Sequence, residues 1–272
     1  MLSKLMYHEF KATRRVFFPA YGIMLALAVI SSIFMLFSNL TTPLFLSLTA
    51  YGLSLFAVGV LSFVYMIVRF YKNLLCDEGY LMFTLPATPA QLIWSKCIVS
   101  TIWMVVSTIL CIITFIILIL PIMFGTYVQS DFALLQAIGM GFQRLTQSFG
   151  IHLVTIPILL IILGIVYISN SCMHIYACLA IGGLFNKHRL GAAVGAFIAF
   201  AIAWNIILST LLSVGSKIFT AFNWDPFSYP AFMSGVSSSY LFILCSIVVV
   251  IVCMLVNFCI TNYLFKRHLN LQ

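Results

Sequence analysis

The sequence predicts an all-α, polytopic membrane protein, and three observations carry that expectation. Hydrophobic residues make up 64% of the 272-residue chain and charged residues only 7%. Its mean hydropathy is +1.18. Finally, the apolar residues gather in six segments, roughly 17–38, 45–68, 98–122, 151–175, 191–214 and 240–263, all free of Asp, Glu, Lys and Arg. A soluble domain carries about 25% charged residues, so no soluble fold covers itself with this chain. A bilayer core of about 30 Å needs about 20 apolar residues per helix, which each segment supplies. The 25 phenylalanines suit contact with acyl chains. Residues 1–272 therefore read as a single membrane domain, with no room for a further sizeable soluble one.

Residues 2–15 precede the first span. Lys4, His8, Lys11 and Arg15 recur at helical spacing on one face, with Leu5, Met6 and Phe10 on the other. This pattern predicts an amphipathic elbow helix in the interface plane; the plainer reading is a basic flank that sets topology. Glu9 falls near the apolar side, which implies a protein partner or a place at the helix edge. Ala26-Leu27-Ala28 mimics a signal-peptide cleavage box, but the apolar run continues through Phe37 behind a long basic region. An uncleaved first span fits better.

Orientation follows from the bases. With both termini inside, the cytoplasmic segments hold Lys4, Lys11, Arg14, Arg15, Arg69, Lys72, Lys96, Lys187, Arg189, Lys266 and Arg267, leaving only Arg144 and Lys217 outside. The positive-inside rule then favours N-in, C-in. The formal net charge of +8 is explained by these flanks, so nucleic acid is not an expected partner. Eight cysteines without a C-x-x-C pair, nearly all in or beside spans, predict neither a disulfide framework nor a metal site.

The outer connections differ. Residues 39–44 read as a tight turn with Pro43, and 123–150 as a longer, partly amphipathic segment. Residues 215–239 carry six aromatic residues around Asp225-Pro226 and read as a re-entrant or interfacial region before the sixth span. On the fifth span, Gly191 and Gly195 with Ala192, Ala196, Ala199 and Ala203 allow close helix approach. Internal packing is the default for that stripe and a subunit interface the alternative.

The spans offer no chemical engine. Ion-coupled carriers place ionisable groups in the membrane, and here the polar candidates are Asn170, His174, Asn205, Asn257 and scattered hydroxyls. His174 reads as a packing residue before it reads as a proton relay. There is no G-x-x-x-x-G-K-[ST] phosphate loop and no H-E-x-x-H, so no catalytic residues and no cofactor are expected in this chain.

The most polar internal stretch runs from Arg69 to Lys96 and holds two of the five acids, Asp77 and Glu78. The second span is expected to continue past the membrane through Arg69 and Lys72, and Asp77-Glu78-Gly79 to break it. Thr88 is placed to cap a helix that opens with Pro89. Residues 90–96 would then form a short helix returning into the third span.

Glu78-Gly79-Tyr80-Leu81, then Thr84-Leu85-Pro86 or Thr88-Pro89, then Ser95-Lys96 before a span resembles the permease subunits of ABC-2-type transporters. The opening Lys4 to Lys11 is also similar to bacterial members. The resemblance implies six transmembrane helices, an N-terminal elbow helix, a cytoplasmic coupling helix between spans two and three, and a re-entrant region before span six. It implies ATPase-coupling residues Asp77, Glu78, Gly79, Tyr80, Thr88, Pro89 and Lys96, with Lys187 and Arg189 as a smaller second contact. For those last two, plain topology-setting charge is an equal reading. The resemblance further implies an exporter in a bacterial plasma membrane, not itself an enzyme. It would work as a dimer of permeases with separate ATPase subunits that bind ATP and magnesium. A narrow apolar interior suits a peptide (antimicrobial peptides included), a lipid or a hydrophobic drug. The alternative is a non-transporting membrane anchor or sensor that scaffolds a cytoplasmic partner.

Overall fold

Each apolar segment lies on one long helix. In chain order these are α1 (Leu2–Met35), α2 (Thr41–Leu75), α3 (Pro89–Gln129), α4 (His152–Gly182), α5 (Arg189–Ala221) and α6 (Val236–Arg267). The computed structural model describes residues 2–37, 41–75, 88–129, 139–141, 143, 146, 152–185, 189–221 and 236–267, and no strand occurs among them. In lipid every backbone polar group needs a partner inside its own segment, which a helix provides. Five helices are long and apolar enough to cross a membrane: α1, α2, α3, α4 and α6. On α5 the described apolar stretch is shorter, Gly191–Ile206. The molecule is an all-helical, multi-pass membrane protein.

Several boundaries differ from expectation. No separate elbow helix precedes the first span, because α1 is continuous from Leu2 to Met35 with Pro19 inside it. Nothing between Arg15 and Phe17 breaks a helix, and a proline within a membrane helix removes only the bond from its own nitrogen. Likewise, residues 89–96 are the opening turns of α3 rather than a short helix of their own. The segment 39–44 is not all turn, since α2 has begun by Thr41 and carries Pro43 in its first turn, where a missing N–H is tolerated. Helix α5 extends to Ala221, into the stretch expected to be re-entrant, and α6 begins at Val236. Residues 222–235 lie outside the described residues.

The chain, expected as one domain, divides into two compact units. The first comprises residues 1–69 and 94–150, the second 70–93 and 151–272. In the first unit, side-chain pairs fix the helix directions. Tyr51 meets Thr114 at 3.0 Å, and Ser62 meets Ser107 at 3.0 Å, so α2 runs against α3. Thr13 accepts from Trp103 at 2.7 Å, and Tyr21 meets Ser107 at 2.7 Å, so α1 runs along α3. Its core is Phe17, Tyr21, Met24, Ala28, Tyr51, Val58, Val99, Trp103 and Leu118.

In the second unit α4 packs against both α5 and α6. Ser169 meets Met254 at 3.4 Å, Asn170 meets Asn257 at 3.3 Å, and His152 meets Tyr240 at 2.6 Å. These pairs rise together along both chains, so α4 and α6 are parallel. Residues Cys172, Met173, Ile175–Ala180 and Gly182 of α4 are buried. Several of them are small, which lets neighbouring helices approach closely.

Candidate functional site

The site begins with the spacing on α1. Glu9, Thr13, Phe17 and Tyr21 recur every fourth residue and are buried, and Met24, Ala28 and Ser31 continue that face. Residues four apart on a helix share a face, so the carboxylate is carried inward with the apolar stripe. The docking surface is α3. There the Trp103 ring lies between Phe10 (4.9 Å, 14°) and Phe17 (4.5 Å, 10°). Its indole N–H donates to Thr13 Oγ1 at 2.7 Å. Buried indoles find such a partner because an unmet donor in a dry site is costly.

One turn before this sandwich, Glu9 binds two cations. Lys96 Nζ lies 2.7 Å from Glu9 Oε1, and Arg69 Nε lies 2.5 Å from Glu9 Oε2. Arg69 also donates from Nη1 to Tyr65 Oη at 3.3 Å. Side-chain exposure is 3% for Lys96, 9% for Glu9 and 23% for Arg69. Burying an ion costs several kcal/mol unless it is paired and hydrogen-bonded, and here each carboxylate oxygen takes one cation. Two cations on one anion leave the cluster a single positive charge in excess.

What this arrangement does is mechanical. Arg69 stands near the end of α2 and Lys96 near the start of α3, so one carboxylate on α1 holds both ends of the polar insert. The far end of the same unit is tied by Tyr51 and Thr114. From Tyr51 to Arg69 the helix rises about 27 Å at 1.5 Å per residue, close to the thickness of a hydrocarbon core. The clamp therefore sits at one end of the membrane-crossing part of the unit.

The helix start at the insert's return is as the sequence implied. The Gln91 N–H reaches Thr88 O at 2.9 Å and Thr88 Oγ1 at 3.4 Å, while the Thr88 N–H donates to Gln91 Oε1 at 3.3 Å. Pro89 is the first residue of α3. This reciprocal pair is a capping box, with Gln91 the member that residue-by-residue reading left out.

Of the other residues singled out from the sequence, Asp77, Glu78, Gly79, Tyr80 and Lys187 lie outside the described residues. Arg189 opens α5. Lys4, His8, Lys11 and Arg15 are exposed on α1. His174 lies 5.5 Å and 5.6 Å from the Phe197 and Phe200 rings, a packing environment. The small-residue stripe Gly191, Gly195, Ala199 and Ala203 is exposed, and a Cβ added at Gly195 would meet nothing within 4 Å. Ala192 and Ala196 of the same stripe are half-buried.

Sequence reasoning missed Arg69 and Trp103 as site members. Glu9 itself carried a signal, a carboxylate on the wrong side of an amphipathic helix. Among the described residues no group of three or more His, Cys, Asp or Glu could hold a metal ion.

No protein-family model matches the chain, and no curated protein or solved structure is significantly similar to it. Its fold and site define its class: a multi-pass helical membrane protein with a buried ion clamp at the root of its largest polar insert.

Proposed function

We propose that this chain is the membrane subunit of an ATP-driven exporter of the ABC-2 permease type. In this reading both termini and the 69–96 insert face the cytoplasm, and all six apolar segments cross the membrane. A separate ATPase subunit engages Asp77, Glu78, Gly79 and Tyr80. The observation that carries the proposal is the Glu9 clamp on Arg69 and Lys96. An insert held at both ends by one buried carboxylate passes a push to α1, α2 and α3 together. A loop tied at one end would absorb it. Lys96, though counted with the docking residues, acts from inside, through Glu9.

A second copy of the chain, or a similar permease, completes the path, and the exposed stripe on α5 supplies a surface for close approach. The cargo is amphipathic or apolar, a peptide, lipid or drug, because the spans carry no Asp, Glu, Lys or Arg to greet an ion.

The test is co-purification of the full chain with the phosphate-loop ATPase encoded nearest to it, followed by ATPase and transport assays in proteoliposomes. Glu78→Lys is expected to abolish the complex or to leave hydrolysis running without transport. Normal transport by Glu78→Lys in an intact complex would remove the docking role. A chain that binds a cytoplasmic partner but moves nothing would instead be the membrane anchor or sensor.

A further inference from the structure

The N-terminal half of α1 has a second face that the clamp does not use. At about 100° per residue, Lys4, Lys11, Arg14 and Arg15 fall within an arc of about 100°, roughly opposite Glu9 and Thr13. All four bases are exposed, and both ion pairs between described residues belong to Glu9. Tyr7, 63% exposed, and Phe18, 59% exposed, stand on the same face. Because α1 is docked on α3 through Glu9, Thr13, Phe17 and Tyr21, this basic face has a fixed direction, away from the unit's own core.

Its depth is also set. Tyr7 and Phe10 are exposed among the bases, but the bases stop at Arg15, and from Val16 onward every exposed residue of α1 is apolar. That change of chemistry marks the edge of the hydrocarbon. Beyond it lies a headgroup layer of about 5–8 Å per leaflet, which an upright helix crosses in about four or five residues. Arg15, Arg14 and Lys11 fall in that layer, and Lys4 lies beyond it. Among the described residues these three cations have no acidic partner, and at phosphate level a lipid headgroup offers them one.

We infer that Lys11, Arg14 and Arg15 bind the headgroups of anionic phospholipids in the leaflet at the Glu9 end of the protein. This goes beyond general contact with lipid. It names the lipid charge and the residues, and it stands whether or not the chain is driven by an ATPase. A cationic side chain near a charged bilayer surface gains about fivefold in binding per base.

The full chain is reconstituted in nanodiscs of phosphatidylcholine mixed with phosphatidylglycerol. Spin-labelled versions of each lipid report how much is held at the protein. The wild type is expected to prefer phosphatidylglycerol, less so as salt rises. K11Q/R14Q/R15Q is expected to lose that preference by at least about fivefold, K4Q to change it little, and K11R/R14K/R15K to keep it. A photo-crosslinker at position 18 of the otherwise wild-type chain should label phosphatidylglycerol over phosphatidylcholine, which tests the site even if the neutralised variant fails to fold. Glycerol 3-phosphate in solution should displace neither label. Equal retention of the two lipids by the wild type, or unchanged preference in the neutralised variant, would overturn the inference. Displacement by glycerol 3-phosphate would overturn it too, showing a site for soluble phosphate.

Discussion

In the first unit Ser107 Oγ is bonded at once to Tyr21 and to Ser62, at 2.7 and 3.0 Å, and also donates to the Trp103 carbonyl at 2.9 Å. In the second unit the buried Phe70 lies flat on Tyr176 at 3.9 Å and 7°, with Phe265 edge-on at 6.0 Å. Both clusters join helices of the same greasy composition. Lipid tails are as apolar as leucine, so helices in a bilayer gain little by hiding apolar surface from it. What remains is directional bonding or close fit. The first unit's ladder of hydroxyls ends in an ion clamp. The second adds stacked rings and the small buried residues of α4 to its hydrogen bonds between α4 and α6, with no ion pair among its described residues. Hydrogen bonds fix register residue by residue, whereas shape fixes it through the whole contact.

This contrast is exposed most sharply by Glu9→Gln. The amide removes the negative charge that Arg69 and Lys96 share, and breaking a buried pair in this way costs about 3–5 kcal/mol. The thermal midpoint of the purified chain is expected to fall markedly, and far less in a Lys96→Met background, where one of the stranded cations is gone. Equal losses in both backgrounds would mean that the two side chains do not act as a unit.

Next in size is Phe70→Ala in the second unit. It removes a ring that is 1% exposed, and such truncations cost about 3–5 kcal/mol in a watery reference. In lipid, where the apolar transfer contribution shrinks, the expected loss lies at or below the lower end of that range. Phe70→Leu should recover more than half of it if fit matters more than the stacked geometry. No recovery with Leu would assign the contact to ring stacking instead.

The smallest effect is expected from Ser107→Ala. Interhelical hydrogen bonds in membrane proteins average about 0.6 kcal/mol, with a ceiling near ~1.7, and Ser107 joins two partner helices. A loss of about 1 kcal/mol in a denaturant titration fits the ladder. A loss as large as that of Glu9→Gln would show that the hydroxyls, not the ions, hold the first unit.

The site was only partly legible in the sequence. Thr88 and Pro89 announced a helix start by local chemistry, and α3 begins there, because a cap needs only a few neighbouring residues. Glu9 was visible as an acid on the wrong face of α1. Its partners were not, for both lie far along the chain: Arg69 looked like one more flanking base, and Lys96 was read as an ATPase-coupling residue. Trp103 was hidden for the opposite reason, as one aromatic residue inside a long apolar run.

By itself, the sequence determined that the chain lives in lipid and where its helices run. Those follow from runs of apolar residues long enough to cross a bilayer, a property of consecutive residues that requires no knowledge of neighbours. Only the tertiary structure decided that residues 2–15 continue the first helix, and that Glu9 joins both ends of the insert. The clamp depends on α1 docking against α3, and that contact is chosen by which side chains meet across helices far apart in sequence.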